Sequence, residues 1–207
     1  MTLVEWCERQ CDPYEITNSI SNMAYLVAHA YTSPHAKSRW LISAVGLGSF
    51  YFHVSGSYIG ELADEFAMSL LAYFYYLDIR GRSTRYEIAF AVVWTLYILL
   101  GSYGIFVSFF ISQLVTPVYI ITVHMPKTPQ QKTSLLVSAA WLSAAIGCWG
   151  YERYLHANDL CPIYMTDPRY YLHSYWHIGT ALAHYNLMLV IHHPRGQLRN
   201  TGSIQLQ

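Results

Sequence analysis

Two histidines lie four residues apart in the segment LHSYWH, at His173 and His177. In a helix this spacing places both imidazoles on one face, where they can bind a single metal ion. His53 ends another apolar segment and offers a third nitrogen. Three histidine ligands with an open fourth position are typical of catalytic zinc, which activates water and polarises a carbonyl group. The alternative is that His173 and His177 are core histidines bonded to the backbone.

Further polar residues lie close to these histidines in the sequence. Ser49 precedes His53 by one helical turn, so its hydroxyl could stabilise an oxyanion, or it could instead bond a carbonyl of its own helix. Asp64 and Glu65 are predicted to begin the next apolar segment. A carboxylate there could act as a general base or orient a ligand histidine. Glu61 is nearer the loop and is predicted to be solvated.

The segments that must position these residues are largely apolar. Hydrophobic residues make up 54% of the 207 residues and charged residues only 12%, whereas soluble domains carry about 25% charge. Since a membrane-spanning helix needs about 20 apolar residues, we predict an all-α bundle of seven transmembrane helices in a single domain, residues 1–207. The predicted spans are 16–33, 39–55, 62–79, 86–101, 103–124, 133–150 and 170–192. The break between the fourth and fifth spans is either a tight turn or part of one long segment.

The basic residues predict the orientation of this bundle. One side of the predicted membrane receives nine of the twelve: Lys37, Arg39, Arg80, Arg82, Arg85, Lys127, Lys132, Arg195 and Arg199. The other side, with the N-terminus, receives Arg9, Arg153 and Arg169. Basic residues are enriched in cytoplasmic loops, so we predict an external or lumenal N-terminus and a cytoplasmic tail at 194–207. The first fifteen residues lack the pattern of a cleavable signal peptide. A net charge of zero gives no indication of a nucleic-acid partner.

The N-terminal segment combines acidic residues with cysteines. Glu5, Glu8, Asp12 and Glu15 precede the first span, either as a solvated acidic tail or as oxygen ligands for a hard cation such as Ca²⁺. Cys161 lies in a loop on the same predicted side, where an oxidising compartment permits a disulfide bond to this segment. Both Cys7 and Cys11 are available as its partner.

Three blocks of the sequence resemble the alkaline ceramidases and the wider superfamily of seven-span membrane hydrolases that includes the progestin and adipoQ receptors. The first block is EWCE at 5–8, followed by Glu15 and NSISN at 18–22. The second is GLGSFYFH at 46–53, followed by Asp64 in ADEFAM. The third is LHSYWH at 172–177. Their order and predicted side of the membrane agree with the resemblance.

The resemblance implies roles for particular residues. His53, His173 and His177 match zinc ligands, and Ser49 and Asp64 match an active-site serine and aspartate. A calcium site is implied at Glu5, Trp6, Glu8, Gln10 and Glu15, with Trp6 contributing its backbone carbonyl. The interval between Glu8 and Glu15 is short for the family, so Asp12 could substitute for Gln10. The resemblance also implies a disulfide bond between Cys7 and Cys161.

The implied activity is hydrolysis of the ceramide amide to sphingosine and a fatty acid, in a multi-pass protein that needs the bilayer and its lipid substrate but no obligate protein partner. The expected membrane is the endoplasmic reticulum or Golgi in a eukaryote and the inner membrane in a bacterium. Two alternatives stay open. One is a seven-span lipid receptor or scaffold with a structural zinc, and the other is a related hydrolase acting on a different lipid amide or ester.

Overall fold

The computed structural model describes residues 5–12, 14–32, 36, 38–124 and 127–192, so the predicted cytoplasmic tail at 194–207 lies outside the described residues. Within these ranges the chain is helical and contains no strand, which confirms the all-α prediction. Short 3-10 helices occur at Cys7–Gln10 and Pro168–Tyr171. The α-helices are α1 (Ile16–Ser21), α2 (Met23–Tyr31), α3 (Arg39–Ser55), α4 (Tyr58–Arg80), α5 (Thr84–Leu100), α6 (Tyr103–His124), α7 (Pro129–Ala157) and α8 (Leu172–Ile191).

The first predicted span is divided at Asn22 into α1 and α2, where we had expected one continuous segment. The carbonyl of Asn18 accepts hydrogen bonds from the Asn22 amide, at 2.9 Å, and from the Ser21 hydroxyl, at 2.8 Å. Side-chain donors of this kind compete with the helical backbone pattern. The division therefore follows from the polar NSISN sequence.

Other helix boundaries also differ from the predicted spans. Helix α4 begins at Tyr58 because the Ser57 hydroxyl accepts a hydrogen bond from the Gly60 amide. Asp64 and Glu65 consequently lie well inside this helix and not at its start. Helix α7 is longer than the predicted 133–150 because Thr128 and Gln131 form a capping box at its N-terminus. Helix α8 starts only at Leu172, after the 3-10 turn.

A tight turn separates α5 from α6, which decides between the two alternatives for this region. Gly101 ends α5 with φ at +61°, and its amide donates to the Tyr97 carbonyl at 2.9 Å. Glycine adopts this left-handed conformation without the steric cost of a Cβ atom. The fourth and fifth predicted spans are therefore two helices.

The helices pack so that the C-terminal end of α3 meets the N-terminal end of α8. Helix α3 packs on α4, α7 packs on α8, and α2 lies against both α3 and α8. The main core combines Ile42, Val45, Leu71, Ile121 and Val190 from four of the helices. This arrangement brings His53 close to His173 and His177.

Large apolar side chains also cover the outer faces of the helices, including Leu99, Val115 and Leu136. Within the described part of the chain, α6 at Tyr103–Val123 and α7 at Pro129–Ala157 are long and apolar enough to cross a membrane. Extensive exposed apolar surface is unusual for a soluble monomer and marks contact with a protein partner or a membrane.

Candidate metal centre and active site

His53, His173 and His177 form a buried cluster. One ring nitrogen from each lies within 4.8 Å of those of the other two. Their ring centroids are 4.7 to 5.1 Å apart. The structure thus brings together the three predicted zinc ligands, in a group that could hold a metal ion.

The Nδ1 nitrogen of His53 forms a hydrogen bond with Glu15. The Nδ1 atom lies 2.6 Å from Glu15 Oε2 in a fully buried pair. An ionised carboxylate only accepts hydrogen bonds, so Nδ1 carries the proton and Nε2 keeps its lone pair. Within the described structure, Nε2 is buried without a hydrogen-bond partner. A metal ion would satisfy this nitrogen.

The outward nitrogen of His177 is held in the same way by Ser21. The two atoms, Nδ1 and Oγ, are 2.7 Å apart. Because the Ser21 hydroxyl donates its proton to the Asn18 carbonyl, it must accept from Nδ1. The lone pair of His177 therefore also lies on Nε2. Ligand histidines commonly donate their other nitrogen to such an acceptor, which fixes the tautomer that binds metal.

Glu152 on α7 faces the third histidine. Its Oε2 atom lies 3.3 Å from His173 Nδ1, and its Oε1 atom accepts a hydrogen bond from the Cys7 amide at 3.1 Å. The side chain is almost completely buried. Glu15 and Ser21 thus form hydrogen bonds with two of the histidines, and the Glu152 carboxylate faces the third.

The two predicted catalytic residues lie next to this cluster. The Ser49 hydroxyl is buried and lies 3.3 Å from His177 Nε2. Asp64 on α4 faces both Ser49 and His53. Its Oδ1 atom is buried without a hydrogen-bond partner in the described structure. A polar hydroxyl and an available carboxylate oxygen therefore adjoin the metal ligands.

Glu61 and Glu65 lie near Asp64, and the environment of Glu61 differs from the predicted one. Glu61 is buried, at 3% exposure, whereas we had predicted a solvated residue. The reason is that α4 begins earlier than expected and places Glu61 in its first turn, packed within the bundle. Glu65 accepts a short hydrogen bond from the Tyr97 hydroxyl. This hydrogen bond links Glu65 on α4 to Tyr97 on α5. Glu61 and Glu65 line the same cavity as Asp64.

The N-terminal segment covers the cluster and is fastened by a disulfide bond between Cys7 and Cys161. This pairing confirms the one implied by the resemblance, and Cys11 is a free, exposed cysteine. Next to the bridge, the Trp6 ring packs against His173 with 3.9 Å between centroids. The disulfide therefore anchors one wall of the site.

The five residues of the predicted calcium site are spread over two environments. Glu5 and Gln10 are exposed, and the Trp6 carbonyl accepts from the Arg9 amide. Glu8 accepts hydrogen bonds from Thr17 and Asn18 at the start of α1. The oxygens of Trp6 and Glu8 thus accept hydrogen bonds from protein donors in the described structure. Asp12, the possible substitute ligand, instead accepts bonds from the amides of Tyr14 and Ile16.

The two buried glutamates of this segment have opposite pKa shifts. Burial raises the pKa of Glu8 from its ordinary value, against the effect of its hydrogen bonds. Burial alone would also raise the pKa of Glu15, but its hydrogen bonds with His53 and Asn18 and the positive charge of Arg9 lower it. Glu15 is thus held as a carboxylate beside His53.

One apolar cavity adjoins the site, and a second lies next to the first within the bundle. The first, of about 670 Å³, is lined by Asp64, His173 and aromatic residues such as Phe106. The second, of about 790 Å³, reaches His184 and Leu187 near the other end of α8. Met68 and Trp176 line both cavities. Apolar cavities with a few polar groups are typical of small-molecule sites.

Sequence reasoning missed Ser21 and Glu152 as partners of the ligand histidines, and it assigned Glu15 to an acidic tail or a calcium site. Glu152 carried little signal, because it follows the predicted span 133–150, where a solvated carboxylate is not costly. Ser21 carried no comparable signal, since nothing in the sequence predicts which α8 residue lies beside it.

Comparison with known proteins yields two similarities. A family model described as Ceramidase matches residues 2–205. Alkaline ceramidase 1 of Mus musculus is 25% identical over an alignment of 207 residues, which covers 84% of this chain and 73% of the mouse protein. The match to the family model includes all the residues of the site described above.

Proposed function

Because this chain belongs to the ceramidase family, and so is a hydrolase that cleaves an amide bond, we propose that it is a zinc-dependent membrane amidase releasing sphingosine and a fatty acid from ceramide. One observation carries this proposal. Three buried histidine nitrogens converge within 4.8 Å, next to the Ser49 hydroxyl and to Asp64, which lines an apolar cavity.

The residues fit a zinc ion. His53 and His177 are held as tautomers with the lone pair on Nε2, and the buried Nε2 of His53 lacks a partner among the described residues. Three neutral imidazoles leave a fourth position open, as in catalytic zinc sites. A zinc ion bound there would lower the pKa of water to about 7 and polarise the amide carbonyl.

Asp64 and Ser49 supply the proton transfers and the oxyanion contact. The unpartnered Oδ1 of Asp64 can take a proton from the attacking water as the new C–O bond forms. The Ser49 hydroxyl can donate a hydrogen bond to the carbonyl oxygen as negative charge develops there. When the C–N bond breaks, Asp64 returns the proton to the leaving nitrogen, which completes the hydrolysis.

The apolar cavities suit the hydrocarbon tails of such a substrate. Their walls are formed by side chains such as Met68, Phe110, Leu114 and Trp176, which line both cavities. Such apolar walls keep alkyl chains out of water, as the bilayer interior does. We propose that the lipid enters laterally from the bilayer and places its amide beside the histidines.

We further propose a multi-pass topology with seven spans, an external or lumenal N-terminus and a cytoplasmic C-terminus. Two helices satisfy a length and hydropathy criterion for membrane spans, and large apolar residues cover the outer surface. The asymmetry of Lys and Arg between the two sides supports this orientation.

For calcium we propose at most weak binding at Glu5, Trp6, Glu8, Gln10 and Glu15. Because the oxygens of Glu8 and Glu15 already accept several bonds, calcium would have to displace protein donors. We expect a dissociation constant on the order of 1 mM, as in weak extracellular sites. Calorimetric titration of the purified protein measures it, and micromolar binding would contradict this proposal.

The decisive experiment is to incubate the purified protein in detergent with ceramides of different chain length and to measure sphingosine release by mass spectrometry. We expect release that disappears with a zinc chelator and in the His173→Ala and His177→Ala variants. Release that survives loss of zinc would overturn the metal assignment. Absence of release from folded, zinc-loaded protein would favour a receptor or a different lipid substrate.

A further inference from the structure

Arg9 reaches from the 3-10 helix of the N-terminal segment to the back of the metal site. Its Nε donates a short hydrogen bond to Glu15 Oε1, and its Nη2 donates to the His53 carbonyl at 3.0 Å. The guanidinium carbon lies 5.8 Å from the centre of the Phe52 ring. The charged group is therefore held against the C-terminal end of α3, where helix carbonyls favour a cation.

The carboxylate of Glu15 connects this guanidinium to a metal ligand. One oxygen binds Arg9, and the other binds both His53 Nδ1 and the Asn18 amide. Glu15 is fully buried, and a buried carboxylate without a positive partner is strongly disfavoured. Its backbone is also unusual, with φ at +40°, a conformation that non-glycine residues rarely adopt. The contacts of its side chain thus hold Glu15 in a specific position.

The backbone after α3 leaves room for the guanidinium. A Cβ atom at Gly56 would lie only 1.8 Å from Arg9 Nη1. Gly56 also has φ at +56°, so glycine satisfies both the helix end and the close approach of Arg9. The backbone conformation of Gly56 and its lack of a side chain therefore both accommodate the Arg9 guanidinium.

We propose that Arg9 is a positioning residue for the metal centre. Its guanidinium fixes the Glu15 carboxylate so that Oε2 accepts the Nδ1 proton of His53, which keeps the Nε2 lone pair directed toward His173 and His177. Lysine cannot replace it fully, because an ammonium group lacks the planar fork that spans Glu15 and the His53 carbonyl. This inference rests on the proposed function only in requiring that His53 binds the metal.

The test is the zinc affinity of the full-length protein in detergent, measured by competition with a chromophoric chelator. We expect Arg9→Ala to weaken zinc binding about 10- to 100-fold, as loss of outer partners of ligand histidines usually does. Arg9→Lys should show a smaller loss. Arg169→Ala is the matched control, since Arg169 pairs with Asp167 on the exposed surface, and it should leave zinc affinity unchanged.

A double-mutant cycle separates positioning from general stabilisation. If Arg9 acts through Glu15, the double variant Arg9→Ala, Glu15→Gln should bind zinc no more weakly than Glu15→Gln alone. Additive losses would overturn the inference, and so would wild-type affinity in folded Arg9→Ala. If Arg9→Ala fails to fold, Arg9→Lys decides: unchanged zinc affinity overturns the inference. A wild-type protein that binds no zinc would overturn the proposed metal centre itself.

Discussion

Replacing Glu152 with glutamine should weaken metal binding through His173. The glutamine can still accept the Cys7 amide through its oxygen, so the fastening of the N-terminal segment is kept. The group that faces His173 Nδ1 changes from a carboxylate oxygen, now at 3.3 Å, to an NH₂ donor. This donor favours a lone pair on Nδ1 and a proton on Nε2, the tautomer that cannot offer Nε2 to a metal.

The expected loss of zinc affinity follows from the distances between the ligand histidines and the residues that face their Nδ1 atoms. Loss of such a partner commonly costs about 10- to 100-fold in metal affinity, or about 1.4 to 2.7 kcal/mol. The separation of 3.3 Å at His173 exceeds the 2.6 Å at the His53–Glu15 pair. We therefore expect the zinc affinity to fall about tenfold in Glu152→Gln and about 100-fold in Glu15→Gln.

Two measurements check this prediction. Chelator competition gives the zinc dissociation constant, and the visible absorption of the cobalt-substituted protein reports the ligand geometry. The control is Glu87→Gln, an equivalent change at a carboxylate that pairs with Arg82 away from the site. An unchanged dissociation constant in Glu152→Gln, or an equal loss in the control, would refute the assignment of Glu152 to His173.

Three further substitutions distinguish residues that act in catalysis from a residue that holds the metal site together. Ser49→Ala should lower kcat by about 100- to 1000-fold, as loss of an oxyanion donor does elsewhere, with zinc affinity retained in chelator competition; a full loss of zinc would contradict this role. Asp64→Asn should abolish sphingosine release while metal analysis still finds bound zinc, and substantial turnover would exclude Asp64 as the base. Cys161→Ser should lower the melting temperature and zinc affinity because it releases the wall beside the metal site. Cys11→Ser, which removes a free cysteine of the same segment, should leave both unchanged.

The metal ligands were predictable because their geometry is local or follows from the order of the helices. His173 and His177 are one helical turn apart, so any helix through them places both on one face. Placing His53 on the same side of the bundle as these two required only that apolar segments alternate in direction. Ser49 followed from the same helical repeat. These predictions needed no knowledge of which helices pack together.

The partners of the ligands were not predictable for the opposite reason. Glu152 and Cys7 are separated by 145 residues, and Ser21 and His177 by 156. Such contacts depend on the rotation and depth of each helix in the bundle, which sequence periodicity does not specify to within a hydrogen bond. The burial of Glu61 was missed for a related reason, since a shift of a few residues at the start of α4 moved it from a loop into a packed helix.

The outer contacts explain why the N-terminal segment belongs to the site. Glu15 holds His53, Ser21 holds His177, and the Cys7 amide holds the carboxylate that faces His173. Each ligand thus depends on this segment or on α1, which follows it, directly or through one intermediate. The covalent bond from Cys7 to Cys161 and the ion pair from Arg9 to Glu15 fasten the segment at two points. The metal affinity of the three histidines should therefore be a property of the docked segment as well as of the helix bundle.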